Sequence, residues 1–122
     1  MWVYNIYIFY IYRLANIIRK LVVIKIFEEF GLLEKDIEKF LNDNVKKLGG
    51  RSYKFVSPGN SGVPDRIIFL PGGKIYFVEL KTKRGRPSAL QKLQRRRFKE
   101  LGHEVYLLYG LEDVKVFLNG IT

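Results

Sequence analysis

The sequence predicts an α/β domain with the element order α-β-β-β-α-β-α, preceded by an N-terminal extension of different character. Three observations support this expectation. Helical and strand periodicities alternate from residue 34 to the end of the chain, and two apolar runs are joined by the turn PGGK. The full length of 122 residues suits one domain of ordinary size, without any internal repeat.

Each predicted element has its own sequence signal. The run EKDIEKFLNDNVKKLGG spaces its apolar residues as a helix does and ends at Gly49 and Gly50, which favour termination. The runs SYKFVS, DRIIFL, KIYFVELK and EVYLLYG have the β-branched and aromatic composition of strands. The runs SALQKLQRRRFKELG and LEDVKVFLNG complete the set as helices. In the first of these two helices, the residues expected to face inward are Leu90, Leu93, Phe98 and Leu101.

The composition restricts the function. The sequence has no cysteine and a single histidine, His103, which excludes disulfides, thiolate metal sites and multi-histidine zinc sites. Any bound metal is therefore expected to be a hard ion held by carboxylates, such as Mg²⁺ or Mn²⁺. The 22 Lys and Arg residues exceed the 12 Asp and Glu residues, which gives a formal net charge of +10. This excess favours a polyanionic partner, either nucleic acid or an anionic membrane surface.

Residues 1–32 differ from the rest of the chain and are predicted to form a separate extension before the domain at 33–122. Arg13 interrupts the apolar start before it reaches the roughly 18–20 residues that span a bilayer. An amphipathic membrane-surface segment is one interpretation, because basic residues recur among apolar ones. The other is a mis-assigned start, with translation beginning at Leu33, whose codon can be TTG. The codons of Glu28-Glu29 can then form a ribosome-binding sequence.

Charged residues interrupt the hairpin formed by the second and third strands. Glu79 and Lys81 occupy alternate positions of one strand and share a face, while Leu80 points to the other. If the turn centres on Gly72, Asp65 lies opposite Glu79 on the same face of the hairpin. If it centres between Gly72 and Gly73, Asp65 lies on the opposite face. An active site here thus requires an odd-length loop or a bulge. Two carboxylates and an ammonium in this arrangement are typical of metal-assisted phosphodiester hydrolysis.

The segment GVPDRIIFLPGGKIYFVELKTKRG resembles the core of the PD-(D/E)xK nuclease superfamily. The closer resemblance is to the virus-type replication-repair nuclease domain, VRR-NUC, in its stand-alone phage and bacterial form. The similarity runs from Glu34 to the C-terminus and includes Gly62 before the PD pair and the glutamine of RPSALQ. It implies a restriction-endonuclease-like core, with a mixed central sheet flanked by helices.

The resemblance implies an activity and its participants. The activity is Mg²⁺-dependent, structure-selective endonuclease action on branched DNA such as Holliday junctions, in DNA repair. Asp65, Glu79 and the Leu80 carbonyl would hold the metal, with Mn²⁺ as a substitute for Mg²⁺. Lys81 would act on the water or the transition state. A homodimer in the cytoplasm of a bacterial or phage-infected cell is expected, without a membrane partner.

The resemblance also implies an acidic residue on the first helix of the domain and a glutamine near the active site. Glu34 falls inside the apolar stripe around Ile37 and Glu38 falls at its margin, which favours Glu34 as catalytic residue and metal ligand. Gln91 is the matching glutamine and an auxiliary catalytic candidate. Ser88 and Gln91 also fit a helix capping box, so both roles remain open.

Basic residues supply candidates for DNA contacts. The glycine-containing loop after the strand of Glu79 and Lys81 carries three of them, Lys83, Arg84 and Arg86. Weaker candidates are Lys54 and Arg66. The run RRR on the next helix points in three directions, so at most two of its arginines can face one ligand, and a solvated helix face is favoured. The strand aromatics expected in the core are Tyr53, Phe55, Tyr76 and Phe77. The rival functions are a non-catalytic nucleic-acid-binding module with a nuclease fold and a membrane-surface protein.

Overall fold

The computed structural model describes residues 2–30 and 34–122, with side chains described for 2–26 and 34–122. The chain divides into two compact units, one of residues 1–31 and one of residues 32–122. Leu33, the expected translation start, lies outside the described residues. The origin of the extension therefore stays a prediction.

The N-terminal unit contains one helix, α1 (Trp2–Phe30). Every described side chain of this helix except Asn16 is exposed. At about 100° per residue, its basic residues fall on different sides of the helix, so α1 has no single polar face. The amphipathic interpretation of this segment is therefore wrong. Among the residues that the structure describes, no helix is both long enough and apolar enough to cross a membrane.

The C-terminal unit has the predicted order of elements. Its helices and strands are α2 (Glu34–Lys47), β1 (Arg51–Lys54), β2 (Arg66–Leu70), β3 (Lys74–Lys81), α3 (Ala89–Glu100), β4 (Val105–Tyr109) and α4 (Gly110–Gly120). The expected fold class, a mixed sheet flanked by helices, is confirmed.

The four strands form one sheet in the order β1-β2-β3-β4. The β1–β2 and β2–β3 pairs are antiparallel, whereas β3 and β4 are parallel, so β3 is bonded on both sides. The β2–β3 turn consists of Pro71, Gly72 and Gly73, between the paired residues Leu70 and Lys74. Gly72 and Gly73 have φ values of 84° and 75°, in a region that residues with a side chain rarely adopt.

The two faces of the sheet pack against different helices. Ile68, Val78 and Leu80 join the buried residues of α2 and α4 in the main hydrophobic core. On the opposite face, Phe98 of α3 packs edge-on against Phe77 of β3, with 5.1 Å between the ring centroids. Because strand side chains alternate, the odd-numbered residues at the end of β3 lie on the α3 face. These include the charged residues of the predicted site.

Two expectations about apolar residues are wrong. Leu90 and Leu101 are 52% and 76% exposed, although the helical pattern predicted that both face inward. The one buried residue of α3 is instead the polar Gln94, which is 8% exposed. Tyr53, expected in the core, is 55% exposed because it lies on the edge strand β1.

Candidate active site

The register of the β2–β3 hairpin aligns Asp65 with Glu79. Arg66 pairs with Val78, so the next positions outward are Asp65 and Glu79. The three-residue turn supplies the odd loop length that this alignment requires, as expected from the sequence. A hydrogen bond fixes the arrangement, since the Leu80 N–H donates to Asp65 Oδ2 at 2.8 Å. The hairpin therefore holds two carboxylates side by side.

Glu79 is a buried carboxylate with an unsatisfied oxygen. The residue is 1% exposed, and its Oε1 has no hydrogen-bond partner among the described residues. Burial raises the pKa of Glu79 to about 7, and the charge of Asp65 adds to the increase. A buried acceptor left without a partner costs about 1–3 kcal/mol. Asn42 Oδ1 is the other such atom among the described residues, but only Glu79 combines it with a raised pKa. The Glu79 carboxylate is therefore a position where a ligand can complete the bonding.

Asp65 and Lys81 share the electrostatic environment of Glu79. Burial also raises the pKa of Asp65, against the opposing effects of the Leu80 N–H and the Lys81 charge. Lys81 likewise opposes the increase in the pKa of Glu79. The ammonium thus favours the ionised form of both carboxylates without restoring their ordinary pKa values. The structure brings Asp65, Glu79 and Lys81 together as the sequence predicted.

These two carboxylates fit a hard divalent cation. Glu79 Oε1 is unpartnered, and the Leu80 N–H engages only one oxygen of Asp65. No group of three or more His, Asp or Glu side chains that could hold a metal occurs in the part of the chain that the structure describes. Mg²⁺ characteristically uses one or two protein carboxylates and keeps several water ligands, which matches this set. The Leu80 carbonyl stays a predicted ligand.

The two acidic candidates on α2, Glu34 and Glu38, both lie near the site but differ in burial. Glu34 is exposed at the first position of the helix, so the expectation that it faces inward is wrong. The charge of Glu34 raises the pKa of Glu79 only slightly. Its effect is smaller than those of burial and of the charges of Asp65, Lys81 and Arg95. Glu38 is partly buried, and its charge adds to the increase in the pKa of Asp65. A metal-binding role for either residue stays a prediction.

Arg66 has a structural role in place of the expected DNA contact. Its side chain is only 9% exposed, and its Nη1 donates to Glu38 Oε1 at 2.8 Å. Its Nε and Nη2 donate to the hydroxyl and carbonyl of Ser52, both at 3.1 Å. A guanidinium engaged in this way is not free to bind a phosphate. Arg66 therefore ties α2 and β1 to the start of β2.

Gln91 adopts the capping role that the sequence allowed. Its Oε1 accepts from the Ser88 N–H at 2.9 Å, and its own N–H donates to Ser88 Oγ at 3.2 Å. The start of α3 is fixed further by Gly62, whose φ is 90°. A Cβ at Gly62 would lie 2.7 Å from the Gln91 nitrogen. Only glycine therefore allows the loop between β1 and β2, residues 55–65 and called the PD loop below, to approach α3 this closely. The auxiliary catalytic role of Gln91 stays a prediction.

Two polar residues of α3 lie near the site without having been predicted there: Gln94 was not considered, and Arg95 was assigned to a solvated helix face. Gln94 is buried, and its Nε2 donates to the Ser61 carbonyl at 3.4 Å, which joins α3 to the PD loop. Arg95 is exposed, and its charge helps to lower the pKa of Glu79. The available signal was their spacing, since positions 94 and 95 follow Gln91 by one helical turn.

The remaining predicted DNA contacts lie on the surface. Lys83, Arg84 and Arg86 are exposed in the loop that follows β3, and Arg86 Nη1 donates to the Gly85 carbonyl at 2.9 Å. Lys54 is exposed at the end of β1. Their exposure and charge are compatible with phosphate contacts, which stay predictions.

The mixed sheet and the carboxylate–lysine cluster on its α3 face define a nuclease of the restriction-endonuclease-like class. The chain belongs to the VRR-NUC family. A solved structure described as "VRR_NUC domain" is 29% identical, covers 73% of this chain and 97% of its own, and has a TM-score of 0.68. A second, "VRR_NUC domain protein", is 16% identical with a TM-score of 0.60, and covers 74% of this chain and 88% of its own.

A curated phage protein is similar in sequence. It is named "Putative nuclease p44", from Acyrthosiphon pisum secondary endosymbiont phage 1, and is 51% identical over 75 residues. The match covers 62% of this chain and 81% of the phage protein. No family model matches the chain.

Proposed function

We propose that this nuclease is a Mg²⁺-dependent endonuclease that hydrolyses phosphodiester bonds in branched DNA. One observation carries the proposal: the buried Glu79 carboxylate has an unpartnered oxygen beside a second carboxylate, Asp65, and an ammonium, Lys81. Adjacent carboxylates with raised pKa values cluster at functional sites, because burial and mutual repulsion make the ionised pair costly without a ligand. A divalent cation is the ligand that this donor set accepts best.

The residues of the site divide the chemistry between them. Asp65 and Glu79 would hold the ion, which supplies Lewis-acid polarisation of the phosphodiester when bound. Lys81 lies on the same face and carries a fixed positive charge toward both carboxylates. It would orient the attacking water and stabilise the additional negative charge on the phosphate in the transition state. The Leu80 N–H keeps Asp65 from rotating away from Glu79.

Branched DNA and a homodimeric assembly form the finer part of the proposal. The described residues of the domain form four strands and three helices, and a fold of this small size favours recognition of DNA shape over sequence. Two copies related by a two-fold axis would present paired active sites to the opposed strands of a four-way junction. Both features also follow from the resemblance to stand-alone VRR-NUC proteins.

The test uses labelled linear, flapped and four-way DNA, incubated with the full chain in Mg²⁺, Mn²⁺ or EDTA. We expect internal cleavage of the branched substrates in either metal, less cleavage of linear DNA, and none in EDTA. The variant Glu79→Gln should not cleave but should bind DNA as well as the wild type, or more tightly, because repulsion of the phosphate falls. DNA binding without cleavage in any divalent metal would refute the proposal and favour a non-catalytic module.

A further inference from the structure

A basic groove runs beside the active site, between α3 and the edge strand β4. It has a volume of about 650 Å³. Alternate residues of β4, from Val105 to Tyr109, form its floor, and α3 forms one wall. The wall carries four exposed cations, which are Lys92, Arg95, Arg96 and Lys99. Among the described residues, Glu104 is the one acidic residue that lines the groove.

The four cations form one continuous face of α3. Their spacing of i, i+3, i+4 and i+7 places them on the same side of the helix, whereas Arg97 lies on another side. Two of the three consecutive arginines, Arg95 and Arg96, therefore face the groove. This agrees with the expectation that at most two of them can face one ligand. None of the four cations forms an ion pair with any carboxylate in the described part of the chain. This face of α3 therefore carries a concentrated positive charge, which favours an anionic ligand.

The groove ends at the catalytic residues. Tyr109, at one end of its floor, pairs in register with Lys81 of β3. Arg95, in its wall, is close enough to Glu79 for its charge to act on that carboxylate. A ligand lying in the groove would therefore extend directly into the cluster of Asp65, Glu79 and Lys81.

We propose that this groove binds the sugar–phosphate backbone of one nucleic-acid strand next to the bond that is cleaved. The proposal rests on the proposed nuclease function, and it assigns the path of the strand to α3 and β4. The five residues of β4 span about 15 Å, which matches about four nucleotides of one strand. A second copy of this chain is a poor occupant, because two such faces would bring like charges together.

The first test measures binding in EDTA, so that no cleavage is needed. The variant Lys92→Gln/Arg96→Gln/Lys99→Gln removes three groove cations and leaves in place Arg95, the groove cation whose charge acts on Glu79. Labelled single-stranded and duplex oligonucleotides are titrated by anisotropy between about 50 and 200 mM salt. We expect at least about tenfold weaker binding of one or both, with the slope of log affinity against log salt smaller by about 2 to 3.

The control variant removes the same charge elsewhere. Lys46→Gln/Lys47→Gln/Arg97→Gln lies outside the groove, on exposed positions of α2 and on another side of α3. We expect the three substitutions together to weaken binding less than about twofold and to leave the salt slope nearly unchanged. An equal loss in the two variants, or wild-type binding by the groove variant for both oligonucleotides, would overturn the assignment.

The second test locates the strand without removing charge. Because the chain has no cysteine, a single introduced thiol is a unique label. Ala89→Cys lies in the groove, and Leu101→Cys lies outside it at a position that is 76% exposed. Saturating oligonucleotide should slow maleimide labelling of Ala89→Cys and leave Leu101→Cys unchanged. Unprotected labelling at Ala89→Cys would refute the path.

The two proposals fail in different ways. If the groove variant loses binding but the wild type cleaves no DNA in any divalent metal, the groove assignment stands and the nuclease proposal fails. If the wild type cleaves and the groove variant still binds normally, the nuclease proposal stands and the strand follows another path.

Discussion

Asp65 and Arg66 are neighbours in the chain, yet their side chains lie on opposite faces of the sheet and differ in how they are bonded. Arg66 is buried toward α2, where it donates three hydrogen bonds to Glu38 and Ser52. Asp65 lies on the α3 face beside Glu79, whose Oε1 has no partner among the described residues. The charges of Arg66 and Glu38 are paired by hydrogen bonds, while Asp65 and Glu79 are carboxylates that repel each other.

This difference in bonding separates two kinds of buried polar residue. Some stabilise the fold through hydrogen bonds, and others are positioned by the fold for catalysis. Alternation along a strand allows consecutive residues to take these two roles, because each faces a different layer. A paired buried ion stabilises the structure only while both partners are present. An unpaired buried carboxylate destabilises it until a ligand binds. Each of the following substitutions tests one side of this comparison.

The largest effect is expected from Lys81→Ala, which removes the cation from the reactive face. Cleavage should fall by about 10²- to 10³-fold, because the ammonium stabilises charge that develops in the transition state. The Mg²⁺ concentration for half-maximal rate should change little, since an ammonium is not a metal ligand. Mg²⁺ titrations of cleavage measure both quantities.

A matched control for that substitution lies on the same strand. Lys74 is exposed at the opposite end of β3, so Lys74→Ala should cleave at the wild-type rate. A full rate for Lys81→Ala at saturating Mg²⁺ would show that Lys81 affects metal binding alone.

Arg66→Ala tests the bonded face. Removing the guanidinium leaves the hydroxyl and carbonyl of Ser52 and the Glu38 carboxylate without their donor, which should cost about 3 kcal/mol of unfolding free energy. Denaturant titration measures the loss. Lys39→Ala removes the exposed 2.6 Å pair with Asp43 and should have no measurable effect. Equal stability of the two variants would contradict the structural role of Arg66.

Glu79→Gln should stabilise the metal-free protein at high pH. The pKa of Glu79 in the fold, about 7 against an ordinary 4.5, means that folding favours the protonated form. Its contribution to stability is therefore complete below about pH 4.5 and is lost as the pH rises through about 7. In EDTA at about pH 8, the variant should exceed the wild type by roughly 2 kcal/mol.

The same comparison at about pH 4.5 provides the control, since both proteins then carry a neutral side chain at position 79. Thermal melts across this range measure the difference. A variant that is less stable than the wild type at high pH would show that the Glu79 carboxylate is bonded in the fold.

Gly62→Ala should have the smallest effect on stability, about 1–2 kcal/mol, with a measurable loss of cleavage. The new Cβ must move the PD loop away from the first turn of α3, and with it Asp65 away from its position beside Glu79. Gly59→Ala is the control for backbone strain. Gly59 has a similar φ of 79°, but an added Cβ there would meet no atom within 4 Å, so this variant has the strain without the collision. Equal cleavage by the two variants would contradict a positioning role for Gly62.

The sequence predicted the features that depend on local patterns. The order of the seven elements followed from periodicity, and the face of Asp65 followed from the odd length of the PGG turn. The role of Arg66 had no local signal, because its partners lie 14 and 28 positions away in the chain. The inward position of Leu90 was predicted from an apolar pattern, but the buried face of α3 includes a polar residue, Gln94. The basic groove exists only because β4 folds back beside α3.

The position of β3 at the centre of the sheet has a consequence for motion at the active site. Because β3 pairs with β4 as far as Lys81 and with β2 as far as Val78, and the Leu80 N–H is bonded to Asp65, the amides around Glu79 should exchange slowly with solvent. The repulsion between the carboxylates cannot be relieved by local fraying, as it could be on an edge strand. Amide exchange should therefore be slowest at residues 78–80 and fast in the loop after β3, so that a mobile basic segment borders a rigid catalytic one.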